Sequence, residues 1–231
     1  NGVLRNAARD NIKKKDTSAN TGQSLPDGDS GPDSALWPSW LVQMWTEQLG
    51  EEETKNLLDE LMEIHPVSIR LCGHPSGKER EQILTALRDA GVVVEKGRWH
   101  PDHYILRKTS DITKLPGFLQ GQWTVQDVSS MLAVEAAGLK GTETVYDVCA
   151  APGGKSFFAA QKLCSRMTAD GQRQVQGVVH SFDLTPKKTA RMRDGAGRLH
   201  LSNIIIDERD ALNPVPADEE GAADVLLCDL P

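Results

Sequence analysis

The sequence predicts an α/β protein in two parts, a small α+β unit followed by a parallel sheet wound with helices, and three observations carry that prediction. From Thr144 onward, short apolar runs alternate with helical patterns, which is the texture of parallel strands covered on both faces. One run leaves its strand through Asp147-Val148-Cys149-Ala150-Ala151-Pro152-Gly153-Gly154-Lys155, a turn of small residues and glycines that opens a helix. Later runs close on acids, at Asp183, Asp210 and Asp229.

Residues 1–10 carry Val3, Leu4, Ala7 and Ala8 at helical spacing and read as the end of a helix. Residues 11–33 hold almost nothing apolar, so burial cannot offset the entropy of ordering them, and they read as a flexible linker. The small α+β unit spans residues 34–120. Its first helix carries Trp40, Leu41, Met44, Trp45 and Leu49 on one face, and Gly50 is placed to end it in a left-handed turn. A second helix turns Leu57, Leu58, Leu61 and Met62 inward and finishes before Pro66. A strand at 67–72, a helix at 79–89 with Ile83, Leu84 and Leu87 inward, and strands at 92–95 and 103–107 follow. Residues 121–231 form the second part, after a turn-rich stretch at 115–121. A helix around 129–137 precedes strands at 144–148, 177–182, 204–206 and 225–228, with helices at 155–162 and 187–199 between them. The polar stretch 168–176 reads as a surface loop.

With 26 Lys and Arg against 33 Asp and Glu, the formal charge of -7 argues against a uniformly basic nucleic-acid domain. The balance is uneven, however, with basic clusters at Arg5 to Lys15 and at Lys187, Lys188, Arg191, Arg193 and Arg198, and an acidic stretch from Glu47 to Glu63. Cys72, Cys149, Cys164 and Cys228 show no CxxC or Cys/His pairing, so neither a metal site nor a disulfide framework is expected. No apolar run approaches the roughly 18 residues of a membrane span, and no charged-then-apolar leader is visible. A soluble protein of the reducing cytoplasm, without a membrane partner, is the expectation.

The turn at 147–155 has the chemistry of a ligand cradle. Glycine lets the backbone approach a bound molecule, and the free N–H groups at the helix start face the crevice beyond the strand ends. Such a turn alone is shared with NAD, FAD and nucleotide enzymes. Asp183, ending the next strand, can accept hydrogen bonds from both hydroxyls of an adenosine ribose. Acids that end successive parallel strands gather along one sheet edge, so Asp183, Asp210 and Asp229 are expected to line one pocket.

The same nine residues closely resemble the first motif of the bacterial Sun-type (RsmB-like) ribosomal RNA cytosine-5 methyltransferases and their eukaryotic nucleolar relatives. Leu115-Pro116-Gly117-Phe118 and Val125-Gln126-Asp127-Val128-Ser129-Ser130 resemble the segment that precedes this motif, and Asn1-Gly2-Val3-Leu4-Arg5-Asn6 resembles the closing helix of the family's NusB-like RNA-binding domain. The resemblance implies a Rossmann-like S-adenosylmethionine-dependent methyltransferase domain with an incomplete parallel sheet. It implies that Cys149, Ala150, Ala151, Pro152, Gly153, Gly154 and Lys155 form the cofactor loop, that Asp183 holds the ribose, that Asp210 lies by the adenine and that Asp229 sits near the methyl-transfer centre. Small-subunit ribosomal RNA is the implied partner, and the full-length protein is expected to be a monomer.

Carbon 5 of cytosine is a poor nucleophile until a thiolate adds at carbon 6, so the reaction requires covalent catalysis. In the family the strand carrying Asp229 continues into Pro-Cys, and a later Thr-Cys motif supplies the nucleophile. This chain stops at Pro231, so it is expected to be a fragment with the cofactor site, no catalytic residue and no turnover of its own. It departs from the family at Arg70-Leu71-Cys72, where Arg-Val-Asn is usual, and in a longer gap from Gly154 to Asp183 than the roughly 20 residues of dinucleotide folds.

Plainer roles are assigned to several other residues. Cys149 belongs to the cofactor loop rather than to nucleophilic chemistry, Cys228 to the core of an apolar strand, and Cys72 and Cys164 to ordinary thiols. The basic run at 187–198 is the wet face of a helix, and Trp37, Trp40 and Trp45 pack rather than stack on bases. Two rival functions stand beside the methyltransferase. A non-catalytic RNA-binding or assembly module would retain RNA binding without cofactor binding, and an NAD enzyme is disfavoured because the loop lacks the GxGxxG arrangement.

Overall fold

The structure, a computed structural model, describes residues 37–62, 66–109, 111–164, 166–167, 173–174, 176–217 and 219–230. The expected helix end at 1–10 and linker at 11–33 lie outside the described residues. The chain divides into two units, residues 1–65 and 66–231.

The first unit pairs α1 (Ser39–Leu49) with α2 (Glu51–Met62). Trp37, Leu41 and Leu58 are buried between them, with Val42, Trp45 and Leu61 packed alongside. Trp40, Met44 and Leu49, expected on the same apolar face as Leu41, are exposed instead. The cluster inside this unit takes up one stripe of α1, and these three residues fall outside that stripe. Gly50 has φ 87° and ψ 165°, so the helix ends in an extended positive-φ conformation open essentially to glycine alone, rather than in the expected left-handed turn. Glu51, Glu52 and Glu53 occupy the first turn of α2, where carboxylates complement the helix dipole.

The second unit begins with β1 (Val67–Leu71), α3 (Gly77–Asp89), β2 (Val93–Lys96), β3 (His103–Arg107) and β4 (Trp123–Val125), whose strands form an antiparallel sheet in the order β2-β3-β1-β4. Helix α3 starts on a capping box, with Ser76 accepting from the Glu79 N–H and the Glu79 carboxylate accepting from the Ser76 N–H. Its buried Ile83, Leu84 and Leu87 meet Ile69, Leu71, Tyr104, Leu106 and Trp123 in one core. The sequence reading did not pick out β4, because a three-residue strand is too short to show alternation. A side chain at Gly121, where φ is 68°, would come within 2.1 Å of the Arg198 carbonyl oxygen, so glycine permits the close approach just before β4.

The chain continues through α4 (Val128–Ala136), β5 (Thr144–Asp147), α5 (Gly154–Leu163), β6 (Arg166–Met167), β7 (Arg173–Gln174), β8 (Val178–Asp183), α6 (Pro186–Arg198), β9 (Ile204–Glu208) and β10 (Val225–Leu227). Strands β10, β5, β8 and β9 form a wholly parallel sheet in that order, the α/β, Rossmann-like architecture expected from the alternating texture. Part of the expected surface loop is a short ladder, since β6 pairs antiparallel with β7. Helix α5 is buried nearly all round. Phe158, Ala159, Ala160 and Leu163 enter a core with Met131, Val134, Val145 and Val179, and Phe157 enters another with Met192, Ala196, Leu199 and Ile206.

Burial sets the expected cost of truncation. Leu106 is 0% exposed and Leu212 is 92% exposed. Leu106→Ala should lower the unfolding free energy by about 2–5 kcal/mol and Leu212→Ala should change it by no more than about 0.5 kcal/mol, measured by urea denaturation.

Candidate cofactor site

After β5 the chain moves to β8 and β9 on one side, and β10 is added on the other side of β5. The strand order therefore reverses between β5 and β10, and open parallel sheets bind ligands in the crevice beyond the strand ends at such a point. The loop that leaves β5 lies there. The Ala150 N–H donates to the Phe182 carbonyl (2.9 Å), the Gly153 N–H to the Ala150 carbonyl (2.7 Å) and the Phe157 N–H to the Gly153 carbonyl (2.8 Å). The Ala151–Pro152 peptide is cis. Gly153 sits at φ 103° as the N-cap of α5, and a Cβ there would lie 2.3 Å from the Phe157 ring. At Gly154 the nearest atom to such a Cβ is 3.8 Å away, an ordinary contact with Gln126.

Asp183 holds this loop from the neighbouring strand. Its carboxylate accepts from the Ala151 N–H (3.0 Å) and the Leu184 N–H (2.8 Å) and pairs with Lys188 (3.0 Å), although the side chain is only 5% exposed. Burial alone would raise its pKa, but these three donors outweigh burial and hold it below the ordinary aspartate value. Asp147, also buried, goes the other way. Desolvation raises its pKa against the hydrogen bond donated by the Ser156 hydroxyl (2.6 Å). Its second oxygen, Oδ1, is buried without a hydrogen-bond partner.

A cavity of about 260 Å³ opens beside the loop, lined by Val125, Gln126, Asp127, Ser130, Asp147, Cys149, Ala150, Ala151, Pro152, Gly154, Lys155 and Asp229. Most of the sequence-predicted site residues thus meet at one place. Lys155 ion-pairs with Asp229 and its amine lies 3.3 Å from the Ser130 hydroxyl. Gly153, Asp183 and Asp210 are not in the lining of this cavity. Gly153 and Asp183 shape the loop from behind, and Asp210, beyond β9, accepts from the Leu212 N–H (2.9 Å).

Val125, Gln126, Asp127, Ser130 and Asp147 line the cavity without having been singled out as site residues. Asp147 opens the motif itself, and the other four lie in a segment noticed only for its resemblance. Asp127 caps α4 by accepting from the Ser129 N–H (2.9 Å), which fixes the start of that helix at the cavity wall. Cys149 is half-buried, and desolvation, followed by the charges of Asp183 and Asp147, pushes its thiol pKa up, the opposite of what an activated nucleophile needs. Cys228, expected in the core, is exposed, because β10 is an edge strand of the described sheet and ends at Leu227, one residue before it. In the basic run, Lys188 is committed to Asp183, Arg193 donates to the Ile206 carbonyl (2.8 Å) and Arg198 to the Phe118 (2.7 Å) and Trp123 (3.1 Å) carbonyls, whereas Lys187 and Arg191 are exposed. Among the described residues, no group of three or more His, Cys, Asp and Glu could hold a metal, and no helix is long and apolar enough to cross a membrane.

Two outcomes follow from the loop geometry. Gly153→Ala should destabilise the protein by at least about 1–3 kcal/mol in thermal or urea unfolding, through the strained φ and the Phe157 clash, and Gly154→Ala should fold normally. Because the folded-state pKa of Asp183 is depressed, its contribution is complete above the ordinary aspartate range and is lost as the pH falls through the lower folded value. Asp183→Asn should therefore cost about 1–3 kcal/mol at neutral pH and flatten the acid limb of the stability profile.

The chain resembles known proteins in sequence and in fold. A family profile described as "Methyltr_RsmF/B-like, ferredoxin-like domain" matches residues 37–113. The probable ribosomal RNA small subunit methyltransferase B of Bacillus subtilis is 31% identical over 233 residues, covering 100% of this chain and 47% of that protein. Its Synechocystis counterpart is 28% identical, over 84% of this chain and 41% of that protein. The chain thus spans about half the length of the curated relatives it matches. Among solved structures, a methyltransferase homologue from Pyrococcus horikoshii superposes with a TM-score of 0.57 at 24% identity, over 76% of this chain and 54% of that one. NSun6 from Pyrococcus horikoshii, solved with SFG, superposes with a TM-score of 0.64 at 16% identity, over 84% and 70%. These structural likenesses establish the methyltransferase fold. With residues 37–113 matched by that profile and its whole length aligned to the Bacillus subtilis protein, the chain is similar to the RsmB-like, Sun-type methyltransferases.

Proposed function

We propose that this chain is the cofactor-binding part of a cytoplasmic enzyme that methylates carbon 5 of cytosine in small-subunit ribosomal RNA, with S-adenosylmethionine as methyl donor. The observation that carries the reading is the glycine turn of β5, tied to the Asp183 carboxylate beside a cavity at the point where the strand order reverses. The residues present suit the cofactor. Asp147 Oδ1, a buried acceptor with no partner in the cavity wall, fits the α-ammonium group. The loop from Cys149 to Lys155 gives close main-chain approach, Asp183 at the end of β8 is assigned to the ribose, Asp210 to the adenine side, and Asp229 with Lys155 to the methyl-transfer end. When bound, the cofactor supplies a sulfonium methyl group to a nucleophilic carbon.

Neither of the thiols nearest this site is suited to add to cytosine. The surroundings of Cys149 favour the neutral thiol, and Cys228 is not among the residues lining the cavity. Covalent activation of the base therefore falls to residues other than these, and the chain alone is assigned binding without turnover.

Isothermal titration with S-adenosylhomocysteine, with NAD as control, tests the reading. The native chain should bind S-adenosylhomocysteine and not NAD, and Asp183→Ala, shown to be folded by circular dichroism, should weaken binding at least about tenfold. A folded native chain that takes up NAD equally well, or that binds RNA but no S-adenosylhomocysteine, would sink it, and the second result would favour the RNA-binding module.

A further inference from the structure

Arg70 is a buried arginine, at 2% exposure, and it lies one residue before the end of β1. Its neighbours Ile69 and Leu71 face the core beneath α3, so strand alternation sends Arg70 to the other face. There the guanidinium lies 4.4 Å above the ring of Phe158, on α5. Its Nε donates to Gln126 Oε1 at 2.6 Å, its Nη1 donates to Gln161 Oε1, and its Nη2 has no partner. It makes no ion pair among the described residues; its hydrogen-bond partners are two neutral amides.

That is a costly way to fill space. Apolar side chains of similar volume usually replace a buried charge at no loss of stability. What a guanidinium does and an apolar side chain cannot is orient an amide. With Oε1 of Gln126 taken by Arg70, its amide nitrogen is the end left to donate elsewhere, and it donates to the Gly154 carbonyl at 3.0 Å. Gln126 and Gly154 both line the cavity beside the glycine turn. The Gln126 main chain is held independently, its N–H donating to the Ser68 carbonyl (3.1 Å) and its carbonyl accepting from the Ser68 hydroxyl (2.8 Å), so Arg70 governs the side chain alone.

We propose that Arg70 is a positioning residue for the cavity: by orienting the Gln126 amide onto the Gly154 carbonyl, it makes the antiparallel sheet a working part of the loop at the start of α5. The identity of the ligand rests on the function proposed above, but the geometry of the loop does not, and the two are tested separately.

Amide hydrogen exchange of the loop at 150–157 provides a readout without ligand, and titration with S-adenosylhomocysteine one with it. Arg70→Lys keeps the charge but loses the planar fork. It should fold, raise exchange in the loop about tenfold relative to the amides of α3, and weaken S-adenosylhomocysteine about tenfold. Gln126→Leu should do the same, and the double variant should be no worse than either single one, because both break one link. Arg198→Lys is the control. That guanidinium ties α6 to the Phe118 and Trp123 carbonyls and the Thr124 hydroxyl, none of which lines the cavity, so its loss should lower the melting temperature and leave loop exchange unchanged. Loop exchange at the native level in Arg70→Lys, or additive effects of the Arg70 and Gln126 changes, would overturn the proposal. If Arg70→Lys fails to fold, native loop exchange in Gln126→Leu overturns it equally. Faster loop exchange in both variants of a native chain that binds no S-adenosylhomocysteine supports the positioning role and rejects the cofactor.

Discussion

Helix α5 has almost no solvated face, and the rest of this unit is arranged to satisfy that constraint. Ser156 to Gln161 and Leu163 are all buried, with Phe157 and Phe158 entering different cores. A helix enclosed on all sides cannot shift without opening several contacts at once, because packed interiors have little free volume. Its N-terminus is therefore held at a defined point beyond β5. The glycine turn inherits that precision, since Gly153 must present no Cβ to the Phe157 ring for α5 to start where it does.

Enclosure has an electrostatic cost that the polar groups around α5 absorb. Asp147 bonds to the Ser156 hydroxyl, Asn203 donates to the Ala160 carbonyl at 3.0 Å, and Lys162 reaches Glu135 at 2.6 Å, which also meets His100 at 3.2 Å. Buried polar groups that are paired in this way specify one arrangement of the core, whereas unpaired ones are expensive. Asp147 Oδ1 and Arg70 Nη2 are among the buried atoms that stay unpaired. The first belongs to a residue that lines the cavity, and the second to the side chain that joins the antiparallel sheet to this helix.

The two carboxylates of the site are consequently divided in character. Asp183 is surrounded by donors and is kept ionised, which suits a group that clamps a loop and presents charge to hydroxyls. Asp147 is desolvated with fewer donors, so its charge is costly until a cation or donor arrives. Two acids that end neighbouring strands thus differ in what surrounds them, Asp183 tied to the backbone of the glycine turn and Asp147 to the Ser156 hydroxyl.

Sequence alone determined the fold class and most of the elements. Period-2 and period-3.6 patterns, the Gly-rich turn and the acids at strand ends are local signals, and local signals suffice to place α3, β5, β8 and the loop from Cys149 to Lys155 within a residue or two. Tertiary structure alone decided which residues meet. The pairing of β1 with β4 depends on a three-residue strand with no periodicity of its own, and it is that pairing that carries Gln126 to the cavity. The exposure of Trp40 and of Cys228 depends on which faces the described neighbours cover, which no hydrophobic pattern encodes. In the sequence Arg70 stands out only within Arg70-Leu71-Cys72; its partners, 56 and 91 residues away, became visible when the chain folded, because hydrogen bonds between distant side chains leave no mark in local spacing.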